Sequence, residues 1–292
     1  MPNRDKPSLA ALLAVVLCLG ACATTSENTQ EEEALEAERR LSSIASALPG
    51  RYASVVDSDV ASRVLVIERR SSDRAGTLAL ELRQSGGGSA VRRFGLTIQP
   101  SNAPLMLEGV FAPLDENGRA RGSCAMTFHL REGGLVGRTD ERDCRFGQEG
   151  QATGLLKEIA FDGRQLVIGD RLVRLDDGTV MSEQVLTFLP TRTYEARLGR
   201  REGDSWRVSR DVSLTPGAPP VQPLDEADMQ LGVSIGLDYF RPGSDAPVML
   251  RLSVKDADTG EAIADAWAGA RANSFGITLP SLQVGVERRA QP

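Results

Sequence analysis

The sequence predicts a mainly β chain: an antiparallel, calyx-like β-barrel entered by one N-terminal helix and followed by a smaller β-sandwich-like region. Two observations carry this. Apolar and polar residues alternate over many short runs, the period of a half-buried strand, and glycine-containing turn signals separate the runs at hairpin spacing. One stretch alone, ahead of the first strand, has the three- and four-residue spacing of a helix face.

The chain opens with Arg4 and Lys6, an apolar run over residues 9–19, and then Leu19-Gly20-Ala21-Cys22. A basic start, a short apolar segment and small residues before a cleavage point form a secretory signal. The cysteine at that point makes it the signal of a bacterial lipoprotein, cut after residue 21 and acylated on Cys22. The apolar run is too short for a membrane span, which needs about 20 residues. Ala23 after the cysteine resembles the outer-membrane sorting signal, so the expected location is the periplasmic face of that membrane, with the bilayer as partner through Cys22. Several acyl chains hold a protein stably where one does so marginally. Residues 22–33 form a polar, acidic tether.

Without residues 1–21 the chain carries 32 basic and 39 acidic side chains, a net charge of −7. Such a chain is not expected to bind nucleic acid. Two cysteines remain beyond the anchor, Cys124 and Cys144. In an oxidising compartment a disulfide between them is expected. The single histidine, His129, leaves little to activate a thiol or complete a zinc shell, so no catalytic residue and no metal site are assigned.

Ala34, Leu35, Leu41, Ile44, Ala45 and Leu48 mark one helix face, ended by Pro49-Gly50. Strand alternation follows in Leu78/Leu80/Leu82, Phe94/Leu96/Ile98 and Cys124/Met126/Phe128/Leu130, with turns at Gly86–Gly88, Asn117-Gly118, Gly133-Gly134, Asp162-Gly163 and Asp177-Gly178. Five prolines and glycines between Pro216 and Pro223 predict a linker over 215–228, because proline gives a ladder no donor. Residues 34–214 therefore read as helix plus barrel, and 229–292 as a small C-terminal β domain. There Met229 to Tyr239 alternate, as do Val248 to Val254, and Leu282, Val284 and Val286 end the chain. Asp256 to Glu261 has oxygen spacing reminiscent of a calcium loop but too few ligands, and reads as a hairpin turn with Gly260 at positive φ.

Residues 48–184 resemble the CpcT/CpeT-type chromophore lyase family. The likeness rests on Leu48-Pro49-Gly50-Arg51-Tyr52, on Glu81 followed by Arg92-Arg93, on Gly122-Ser123-Cys124 through Gly137-Arg138-Thr139 to Cys144, and on Asp170-Arg171. It implies a calyx with a cavity and a tetrapyrrole-like or other small hydrophobic ligand, held by Glu81, Arg92, Arg93, Asp170 and Arg171. The tyrosine and glutamine of the family's arginine motif are missing here, and an envelope protein meets no light-harvesting partner. The expectation is thus a barrel that binds an amphipathic ligand or a protein, with no cofactor and no catalysis. Bilin attachment and a purely structural scaffold are the alternatives. Alternation puts Arg92 on the face of Phe94 and Glu81 on the face opposite Leu80.

Overall fold

The computed structural model describes residues 32, 33, 35–58, 62–103, 105–146 and 152–290. The signal at 1–21, Cys22 and the tether up to residue 31 lie outside the described residues. Residues 35–47 form helix α1, which buries Ala37, Leu41, Ile44 and Ala45. Leu35, expected on that face, is exposed, because it stands about 200° around the helix from Ala37. The Tyr52 hydroxyl donates to the Leu48 carbonyl at 2.7 Å, tying the helix exit to the first strand. Burial pushes that hydroxyl up to about 12.

Eleven strands follow: β1 (Gly50–Val56), β2 (Arg63–Arg70), β3 (Leu78–Gly86), β4 (Ser89–Pro100), β5 (Met106–Leu114), β6 (Cys124–Arg131), β7 (Gly134–Thr139), β8 (Arg145–Phe146), β9 (Thr153–Phe161), β10 (Leu166–Arg174) and β11 (Val180–Pro190). Apart from the two-residue β8, which pairs only with β9, each is antiparallel to the next. β11 returns to β1, with Tyr52 opposite Pro190, and closes a ten-stranded barrel. Closure removes the open edges that a sheet of this length would expose.

The expected alternation sets the inner face. Leu78, Leu80 and Leu82 stand opposite Ile98, Leu96 and Phe94, and all six are buried in one apolar cluster. Phe128 lies between Gly109 and Gly137, where a Cβ on either residue would overlap its ring. Glycine at these two places lets a large ring fill the lumen. Helix α1 packs at the end where β1 begins, so this end is a closed, filled core. The opposite end is the mouth.

The second core lies between two sheets. One is β14 (Val233–Phe240), β15 (Met249–Asp256) and β16 (Ala262–Gly269); the other runs β13-β12-β18-β17, from β12 (Tyr194–Glu202), β13 (Ser205–Leu214), β17 (Ser274–Leu279) and β18 (Leu282–Arg288). β14 joins the barrel sheet in parallel with the far end of β1, Val55 opposite Tyr239. The chain changes core just after Pro190, since β12 pairs with β18 and its apolar side chains enter the second cluster. Residues 215–228 then run beside β14, where Gly217 donates to the Leu237 carbonyl and Val221 and Ile235 exchange backbone bonds. The strand begins at Val233 rather than Met229. Positive φ at Asp228 (60°) and Gly232 (65°) breaks the alternation, and Met229 is left exposed. The Asp256 turn forms as expected: its carboxylate accepts from the Asp258 and Thr259 amides, and Gly260 has φ of 74°.

Candidate functional site

At the barrel mouth the inward-facing positions change from apolar to charged. β9 continues its inner face from Phe161 and Ile159 to Lys157, and β10 continues from Leu166 and Ile168 to Asp170. Register places Lys157 directly opposite Asp170, and the ammonium donates to the carboxylate at 2.7 Å. Only 3 % of the lysine side chain is exposed, against 21 % for the aspartate. From the far wall, Phe94 and Phe111 stack with centroids 5.3 Å apart. Their faces lie 4.9 and 5.2 Å from the Lys157 nitrogen. The ammonium is thus met by one carboxylate and two aromatic faces.

Arg92 stands on the same inner face as Phe94, at the lip. Its guanidinium lies over the Phe94 ring at 5.2 Å and approaches Asp170 at 3.9 Å, beyond hydrogen-bond distance. Half of its side chain is open to solvent. Together with Arg121, Phe146, Pro113 and Leu155, these residues line a cup of about 330 Å³. Burial pushes the Lys157 ammonium below the ordinary lysine value; Asp170 pulls it back in part, and Arg92 adds to the depression.

The wall around the cup is held by two devices. Pairing of β7 with β9 stops at Arg138 opposite Glu158. Thr139 then uses its hydroxyl in place of the backbone, donating to the Leu155 carbonyl and accepting from the Lys157 amide, each at 2.8 Å. This fixes the strand that carries Lys157 and frees the chain beyond Thr139 to turn away. It reaches Cys144, which forms the expected disulfide with Cys124 on β6, their Cα atoms 4.8 Å apart. Phe146 follows at the rim.

Of the other expected residues, Glu81 and Arg171 lie outside the cup and Arg93 borders it. Glu81 and Arg93 are on the outer face, as the alternation implies, yet Glu81 is buried. Arg93 grips one of its oxygens through two nitrogens at 2.9 and 2.8 Å, and Arg70 holds the other. Both carboxylate oxygens are therefore taken by guanidinium groups, and the cluster forms part of the wall. Burial raises the Glu81 carboxyl, but the hydrogen bonds and charges of Arg70 and Arg93 outweigh it and leave the group below its ordinary value. Arg171, one residue from Asp170, points to the outer side, where it pairs with Glu141 at 3.3 Å in a cleft shared with His129. Of the five residues named by the family resemblance, the structure brings Arg92, Arg93 and Asp170 to the cup, with Arg93 committed to Glu81.

The sequence gives no site role to Lys157 or Phe111 and marks Phe94 only as a position of its strand's apolar face. The signal for Lys157 was its phase with Ile159 and Phe161, hidden because Leu155 and Leu156 are both apolar and leave the inward position ambiguous. Among known proteins, no family model matches the chain and no curated protein matches it.

Proposed function

We propose that this chain is a lipoprotein held at the periplasmic face of the outer membrane through acylated Cys22, and that its barrel mouth binds a small amphipathic anion without transforming it. One observation supports this above the others. A buried lysine and a half-exposed arginine share one carboxylate inside a cup with aromatic walls, which leaves a positive surplus against an apolar surface. Arg92 is the group placed to accept a ligand carboxylate or sulfonate as a fork. Lys157, already paired, supplies charge from below. The cup is at the small end of ligand sites, which favours a compact anion over a tetrapyrrole.

Titration with anilinonaphthalene sulfonate, octanoate and biliverdin tests the reading. One saturable site for the two small anions is expected. Arg92→Ala weakens it by about 1.5–3 kcal/mol, the range for a hydrogen bond to a charged group, or roughly ten- to a hundredfold. Tighter binding of biliverdin that depends on Arg92 favours the chromophore-attachment family instead. Absence of saturable binding by all three favours a scaffold. The anchor is tested apart from the ligand, by a mass spectrum of the native N-terminus, where an unacylated chain retaining Met1 overturns it.

A further inference from the structure

A second cleft lies at the other end of the barrel, between the β9–β10 turn and the β-sandwich. Its volume is about 650 Å³, nearly twice that of the mouth cup. Four arginines line it: Arg164 from the barrel turn, Arg192 from the crossing segment, and Arg271 and Arg288 from the sandwich. Asp162 is the one acid among the lining residues, and its carboxylate is turned into its own loop, accepting from the amides of Arg164 and Gln165 at 2.8 Å each. The lining thus holds a surplus of three positive charges on a protein whose net charge is −6.

Three of the four guanidinium groups are not consumed by the fold. Arg164, Arg271 and Arg288 make no side-chain hydrogen bond or ion pair with another described residue. Elsewhere on this chain clustered arginines find acids: Arg70 and Arg93 share Glu81, and Arg207 takes Glu202 and Asp225. The floor differs from the rim. Tyr194 and Tyr239 contribute rings whose hydroxyls are already spent on the carbonyls of Ala272 and Pro190 at 3.0 and 2.8 Å. The tyrosines are almost wholly buried beneath the half-buried Leu189, Val248 and Ala270, which give the floor an apolar surface below the charges. Two cores supply the two sides, so the cleft exists only because the barrel and the sandwich meet.

We infer that this cleft binds a phosphomonoester that carries an apolar group. Guanidinium forks match the oxygens of phosphate in pairs. A phosphomonoester brings a charge of about −1.5 to −2 and three acceptor oxygens, which answers several arginines where a single carboxylate answers one. The apolar group then lies against Leu189, Val248 and Ala270 above the buried tyrosines. Both a soluble organic phosphate and the head of phosphatidic acid have this chemistry.

Calorimetric titration of the full chain in detergent with phenyl phosphate is the test. One saturable site is expected, at least tenfold tighter than benzoate. Arg164→Gln combined with Arg271→Gln, both at exposed positions, weakens it at least tenfold with an unchanged thermal melt, and Arg164→Lys with Arg271→Lys restores it only in part. Arg92→Ala leaves it unchanged, so this site and the mouth stand or fall separately. Dihexanoylphosphatidic acid, soluble as a monomer, separates the sources: tighter binding than phenyl phosphate assigns the lipid head, weaker binding assigns a soluble ester, and either supports the inference. Absence of phenyl phosphate binding, or binding indifferent to the double glutamine variant, overturns it.

Discussion

The barrel wall buries two charges of opposite sign, Glu81 on its outer face and Lys157 on its inner face, and satisfies them differently. Glu81 is enclosed by two guanidinium groups that take both of its oxygens. Lys157 has one carboxylate and two aromatic faces, and it sits under an open cup. A charge with all its bonding capacity used holds a wall together. A charge whose surroundings remain unbalanced is, on the proposed reading, the one a ligand would meet. The family resemblance ranked the glutamate with the binding residues, but its geometry belongs to the first kind.

The sharpest way to break this comparison is to remove the one acid beneath Lys157. Asp170→Leu strands a buried ammonium, and breaking a buried pair in this way costs about 3–5 kcal/mol. Urea unfolding measures it. Adding Lys157→Met recovers most of the loss, since an apolar pair of similar volume is tolerated where a lone charge is not. The sign with pH is also fixed. The folded lysine value lies below the ordinary 10.5, so between the two the unfolded chain holds more protons and stability attributable to this residue rises with pH. A single Asp170→Leu variant as stable as the parent at neutral pH would show that Lys157 is not held by this pair. Next in size is the rim: Cys124→Ala with Cys144→Ala removes a 20-residue closure, worth about 3 kcal/mol in the chain-entropy model. Thermal melting reads that loss.

The outer cluster gives a smaller effect. Arg70 is half exposed and Arg93 a quarter exposed, so both swing toward water when their acid is lost. Glu81→Leu is therefore expected to cost about 1–2 kcal/mol, below the full range for charged hydrogen bonds. Because the folded carboxyl lies below its ordinary 4.5, the stability it contributes is complete above that pH and is lost as pH falls through the folded value. Acid unfolding of the variant loses this component of the slope, whereas Asp170→Leu with Lys157→Met retains it.

How far the sequence reaches differs between the same two regions. Leu78, Leu80 and Leu82 alternate cleanly, so the inner face, and with it the outward setting of Glu81, follows from period two alone. Arg92 is legible by the same count from Phe94. What covers Glu81 is not, since Arg70 comes from β2 and Arg93 from β4, and only barrel register brings them together. Lys157 escapes for another reason. A lysine beside Glu158 reads as a solvated pair, its phase with Ile159 and Phe161 is blurred by Leu155 and Leu156, and the acid that meets it comes from another strand. The placement of β12 is hidden likewise, because its partner β18 lies some ninety residues onward and pairing at that distance leaves no local trace.

The smallest stability effect tests the proposed function most directly. Arg92 is half exposed and makes only a long contact to Asp170 and a ring contact to Phe94, so Arg92→Ala should change unfolding stability by no more than about 0.5 kcal/mol. The same substitution should weaken the proposed anion at the mouth by an order of magnitude or more, because it removes the fork that lies over Phe94 and beside Asp170. A residue of the wall is expected to behave the other way: Glu81→Leu should lower stability and leave ligand affinity alone. Measuring both quantities for both variants places each residue on one side of that division. If Arg92→Ala lowers stability as Glu81→Leu does and leaves anion affinity untouched, the mouth is another satisfied cluster, and the contrast between the two faces of the wall disappears.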